Sequence, residues 1–356
     1  MKHNISENLA LIAQSEGEGF SYEQEEIEQE YAFLEDNEAG LAIKILSVIG
    51  GFLATLFFLG SIVSAIASYS EAGLLVFGLL SIGFAIWLNV TTSRLIIDTI
   101  SVSTFAAGFS MIGVGFAMLE VDENFIGIAF IIIALATLSI TQNFILSFIS
   151  ILFINGSFLF LIVVNSVYSL IHFYNALLLV LLTYFLLQEA KFFTGVKPLS
   201  KLYDPIRIGL VDSVISGLVF VATKNIFEIN IYYIWLSSVV IFHINIYVVS
   251  LIIKLIGVTN AQTKAIIYIL SVLFLIPSVF SPAISGALLI VLLCYMVNYK
   301  TGLYLGIIAF IYFEGQYYYD LNYTLLVKSM IMFGSGIIFL SFYYFMHKKL
   351  DADEKI

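Results

Sequence analysis

Charge and cysteine are scarce in this chain. Asp, Glu, Lys and Arg make up 11% of its 356 residues, while 61% are hydrophobic. Soluble domains carry about 25% charged residues, so a soluble fold of this length could not cover its own surface. The single cysteine, Cys294, excludes an intrachain disulfide framework and a cysteine-rich zinc cluster. The sequence holds no Gly-rich phosphate loop, no HExxH, no GxSxG and no aspartyl-protease pair. Nor does it place two histidines at midplane haem-ligand spacing. No cofactor or metal is therefore expected, ATP-driven transport by this chain alone is excluded, and nothing points to an enzyme. No basic-then-apolar leader opens the chain, so the first membrane helix, from Leu41, is expected to act as its own insertion signal.

Long apolar runs fill the rest. Turn residues and charges divide them into segments near 41–68, 72–91, 95–119, 124–142, 143–165, 169–190, 207–224, 230–253, 262–280, 283–298, 301–316 and 324–346. Runs of 18 or more apolar residues read as membrane helices. The stretch 124–165 is broken only at Thr141, Gln142 and Asn143, yet one helix of that length would run to about 63 Å. It must fold back. The expectation is an all-α polytopic membrane protein with about twelve transmembrane helices (ten to twelve), embedded in a lipid bilayer.

Lys and Arg set the orientation. With twelve spans and a cytoplasmic N-terminus, thirteen of the fifteen basic residues fall inside, and only Lys224 and Lys328 fall outside. N-in, C-in follows. Residues 1–40 hold eleven acids against Lys2, so this tail carries the whole net charge of −10. Nucleic acid is excluded as its partner, because phosphate binding needs clustered basic residues. Ile5, Leu9 and Ile12, then Ile27, Tyr31 and Leu34 behind a Ser21–Gln24 capping box, predict two short amphipathic helices. Their acidic faces favour docking on the basic inner loop 191–206 over adsorption to anionic lipid. That loop, with Pro198 and Pro205, divides a membrane domain over 41–346 into halves 41–190 and 207–346, and 347–356 form a second inner tail.

Ionisable groups within a bilayer cost about 2.5–3.5 kcal/mol each on insertion scales, so each needs a partner or a purpose. Asp98 and Asp212 lead. Arg94…Asp98 opens one span and Arg207…Asp212 opens another, a hint of internal duplication. Each aspartate is either a proton- or cation-coupling carboxylate or half of a helix-end ion pair. Asp98 suits an i, i+4 pair with Arg94, whereas Asp212 needs a partner on another helix. His243, near mid-span with Tyr247 on its face, is either a proton relay or a neutral imidazole bonded between helices. His172, near the outer end of its span, is a weaker relay candidate. Gly302-x-x-x-Gly306 and Ser213-x-x-x-Gly217 predict close helix contacts. The densest polar stretch is the last outer hairpin, with Glu314, Tyr317, Tyr318, Tyr319, Asp320 and Lys328. Glu314 and Asp320 are the natural partners for Lys328. The group forms either a ligand or partner site or a structural clamp.

The stretch YYYDLNYTLLVKS within that hairpin, joined to a many-span body, resembles the bacterial membrane-protein family called domain of unknown function 4401. The residues carrying the likeness are Tyr317, Tyr318, Tyr319, Leu321, Leu325, Leu326, Lys328 and Ser329. The resemblance implies no activity. It implies a bacterial cytoplasmic (inner) membrane and a small membrane-anchored protein partner with a Gly-Asp-Tyr…Leu-x-Tyr motif. Two functional expectations follow. One is an ion-coupled secondary transporter of a small solute using Asp212, His243 and Asp98. The other is a non-catalytic scaffold or complex subunit that meets its partner at the outer hairpin.

Overall fold

The structure is a computed structural model. It describes residues 70–341 except 92–94, 142, 195–196, 224–232, 277–278, 280, 322, 335 and 338–339, with isolated positions between 50 and 65. The acidic tail and residues 347–356 lie outside the described residues, and so does the first expected span apart from those isolated positions. Among the described residues the chain is all helix, without a strand.

The helices are α1 (Glu71–Thr91), α2 (Leu95–Met118), α3 (Glu123–Ile140), α4 (Phe144–Val164), α5 (Leu170–Leu187) and α6 (Glu189–Thr194). After them come α7 (Lys197–Ala222), α8 (Ile234–Leu255), α9 (Ala261–Leu275), α10 (Pro282–Met296), α11 (Lys300–Asp320) and α12 (Leu325–Gly334). Among the described residues seven helices are long and apolar enough to cross a membrane: α1, α3, α4, α5, α8, Ile97–Met118 of α2 and Lys201–Ala222 of α7. α10 has 15 residues, roughly 22 Å at 1.5 Å per residue, against a bilayer core of about 30 Å.

Short polar residues fix the ends. Asp122 accepts from the Asn124 N–H at 2.8 Å to start α3, and Asn143 accepts from the Ile145 N–H at 3.0 Å to start α4. These side chains satisfy amide groups that have no partner within their own helix. Pro282 opens α10, where a missing N–H costs nothing. Most of the stretch 191–206 is not the expected loop: residues 191–194 end α6, and residues 197–206 are the first turns of α7, which continues through Pro205.

α1 packs on α2, α3 on α4, and α10 on α11, as antiparallel neighbours. The α1–α2 crossing is backbone on backbone. A Cβ on Gly78 would lie 2.9 Å from the Gly108 carbonyl oxygen, and one on Gly108 would lie 2.7 Å from that of Gly78. One core gathers Phe105, Phe109, Ile112 and Leu146 between α1, α2, α3 and α4. The other joins α5, α7, α8, α10 and α11 around Leu179, Val214, Leu218 and Ile290. α7 lies against α4 and connects the two. Gly306 meets α10 at Ile290 and Val291, so the expected Gly302–Gly306 contact stands on the α10–α11 crossing.

Candidate functional site

Polar side chains are few in these apolar helices, and they gather at four places. The first is where α1, α2 and α4 meet. Asp98 Oδ1 accepts from Asn89 Nδ2 at 3.2 Å and from Asn143 Nδ2 at 3.0 Å. Asn143 thus caps α4 with its oxygen and holds Asp98 with its nitrogen. Arg94 lies outside the described residues, so its expected pair with Asp98 does too. The neighbouring Ser101 hydroxyl and Asn89 Oδ1 are buried without a hydrogen-bond partner among the described residues.

Asp212 is different. It is half-buried on α7, and its carboxylate meets no cation and no hydrogen-bond donor among the described residues. Arg207, five residues earlier, turns away from it. The guanidinium pairs with Asp204 at 2.6 Å and Glu189 at 3.6 Å, and lies 4.0 Å over the Tyr299 ring and 5.3 Å over that of Tyr203. Burial pushes the Tyr299 phenol above its ordinary pKa, with Arg207 pulling the other way. The rings of Phe185, Phe192 and Tyr203 stack behind this group. Sequence reasoning missed the cluster because its members come from four segments. The one available signal was that an i, i+5 spacing fits an Arg–Asp pair poorly.

The third place is a seam of polar groups among α5, α7, α8 and α10. His172 Nδ1 lies 2.6 Å from Ser237 Oγ, and Ser238 Oγ donates to the Val279 carbonyl at 2.7 Å. Asn175 Nδ2 donates to the Gly217 carbonyl at 3.1 Å, which accounts for the small residue expected there. Asn245 Nδ2 donates to the carbonyls of Ile241 and Ser285, both at 3.1 Å. The Oδ1 atoms of Asn175 and Asn245 are buried and accept nothing among the described residues. His243 is not in this seam. It is exposed, and its Nδ1 bonds to the Val239 carbonyl of its own helix at 2.7 Å. The interior of α8 is held by Asn245, and the imidazole that joins two helices belongs to His172.

At the hairpin between α11 and α12, Lys328 is 8% exposed, but among the described residues no carboxylate meets it. Its Nζ donates to the Tyr318 carbonyl at 2.7 Å and the Tyr319 carbonyl at 3.5 Å, and lies 5.0 Å over the Tyr318 ring. The last carbonyls of a helix lack intrahelical donors and carry its negative dipole end. The ammonium therefore caps α11 where ion pairs with Glu314 and Asp320 were expected. Asp320 accepts instead from Gln316 at 3.3 and 3.4 Å. Glu314 is exposed, Tyr319 is 79% exposed, and Tyr317 packs partly against the core.

No group of three or more His, Cys, Asp or Glu residues that could hold a metal occurs among the described residues. Comparison with curated proteins finds no match, and neither does comparison with solved structures. A family model does match, over residues 40–349. The chain belongs to the family described as Domain of unknown function (DUF4401).

Proposed function

We propose that this chain is a non-catalytic, proton-coupled secondary transporter of a small solute in the bacterial cytoplasmic membrane. In this reading it has twelve spans with both termini inside. One observation carries it: Asp212 lies five residues beyond the Arg207 ion pairs on a helix long and apolar enough to cross a membrane, roughly 7.5 Å further along and so within its apolar stretch. No described side chain neutralises it. A structural carboxylate at that depth would be paired, whereas a proton carrier has to be able to lose and regain its charge. Spare amide oxygens on Asn175 and Asn245 supply a hydrogen-bonding interior beside α7 without fixed charge. Proteoliposomes containing pyranine would test the reading against a panel of sugars, amino acids and organic cations. At least one solute is expected to change the luminal pH, and Asp212→Asn to abolish that change while the protein stays folded. Silence across the panel, or an unaltered response in the variant, overturns it.

A second reading rests on the outer hairpin. Lys328 engages backbone carbonyls, leaving Glu314 and the exposed ring of Tyr319 on the surface. This surface suits a small membrane-anchored protein partner, and the chain would then be a complex subunit. Native mass spectrometry after gentle extraction should show a stoichiometric second chain, lost when Tyr317, Tyr318 and Tyr319 are replaced by alanine. A lone chain, or a partner that survives the substitutions, removes this reading.

A further inference from the structure

A cavity of about 940 Å³, open to the surface with Ala117, Gly156 and Phe160 of its lining exposed, lies between α2, α3 and α4, near the upper end of the 300–1,000 Å³ typical of small-molecule sites. Its walls are apolar and aromatic, with Phe130, Phe153 and Phe160 among them. Two of those rings are set in place by Phe109, which meets Phe153 in a stack at 4.0 Å and Phe130 edge-on at 5.1 Å. The mouth is acidic. Glu120 and Glu123 line it, both exposed, and neither carboxylate has a hydrogen bond or ion pair among the described residues. Asp122, between them, is occupied in capping α3. Deeper in, Ser157 lines the cavity at 5% exposure, and its hydroxyl has no hydrogen-bond partner among the described residues. No Lys or Arg occurs in the sequence between Arg94 and Lys191, so no cation on these three helices offsets the two glutamates.

We infer that this cavity binds a free, drug-sized lipophilic monocation. The apolar walls take the hydrophobic body, and ring faces attract a cation electrostatically. The two carboxylates favour positive over negative charge at the entrance. The inference deepens the transporter reading by naming a class of solute, but the site is defined without reference to transport.

Gly156 provides a direct test. It lines the cavity, and a Cβ built on it meets nothing within 4 Å. Gly156→Leu therefore adds bulk to the space from a Cβ that meets no neighbour. The full chain in dodecyl maltoside is expected to bind radiolabelled tetraphenylphosphonium saturably, one per chain. The double variant Glu120→Gln/Glu123→Gln should weaken this about tenfold, and Gly156→Leu should abolish it. Both variants should keep the parent unfolding temperature, and tetraphenylborate, of the same shape and opposite charge, should not compete. Non-saturable binding, or binding untouched by Gly156→Leu, overturns the inference. So does phosphatidylethanolamine retained one per chain, lost in Gly156→Leu and not displaced by tetraphenylphosphonium, because the ammonium amphiphile would then be lipid. Failure here leaves the Asp212 reading intact. Cation binding with no solute-driven pH change removes transport and leaves the site.

Discussion

Lys328 illustrates how a charge in an apolar setting chooses among partners. Two carboxylates are close in sequence, yet the ammonium goes to the carbonyls of Tyr318 and Tyr319. Those carbonyls would otherwise end α11 without donors, and a hydrogen bond to a charged group is worth about 1.5–3 kcal/mol. Lys328→Met should therefore cost about 2 kcal/mol, read as a lower unfolding temperature in detergent. Glu314→Gln and Asp320→Asn should leave that temperature unchanged, since neither carboxylate touches the lysine. A drop in either carboxylate variant equal to that of Lys328→Met would restore the ion-pair account. The identity of the buried residue was legible in the sequence. Its partner was not, because backbone carbonyls carry no sequence signature.

Helix positions were legible where punctuation was chemical. The Thr141–Asn143 break predicted a fold-back, and the structure places the end of α3 and the start of α4 there, with Asn143 as the cap. The seven long apolar helices coincide with segments expected from the sequence. Helix faces were harder to read. When nearly every position is apolar, a polar stripe no longer marks the outside, and sequence alone could not tell that His243 faces outward while Asn245 faces the seam. Residues 191–206 misled for a different reason. Two prolines and several charges read as a loop, but Pro198 falls in the first turn of α7, where proline is tolerated. α7 then continues through Pro205, a continuation that composition does not reveal.

For the molecule as a whole, topology is the property most open to experiment. The proposed arrangement puts Glu123 outside and Lys264 inside. In a Cys294→Ser background, an impermeant maleimide should label Glu123→Cys in intact cells and Lys264→Cys only after permeabilisation. The reverse pattern would invert the chain, and labelling of both from outside would require an even number of crossings between them. The family match covers the membrane body and the hairpin alike. The sequence reading identified the family from the hairpin motif joined to a many-span body, because a dense polar motif stands out in an apolar background while the packing of the body does not.

α4 is tied at both ends. Asn143 fastens its start to Asp98 on α2, and Asn165, its C-cap, donates to the side-chain oxygen of Asn124 at the start of α3. The cavity lies along the helix between these ties, so two of its walls are pinned above and below. Such a space is a mould set by the backbone before any guest arrives. Its selectivity should then be that of a rigid form, favouring molecules whose shape already matches its walls over those that would need the helices to shift.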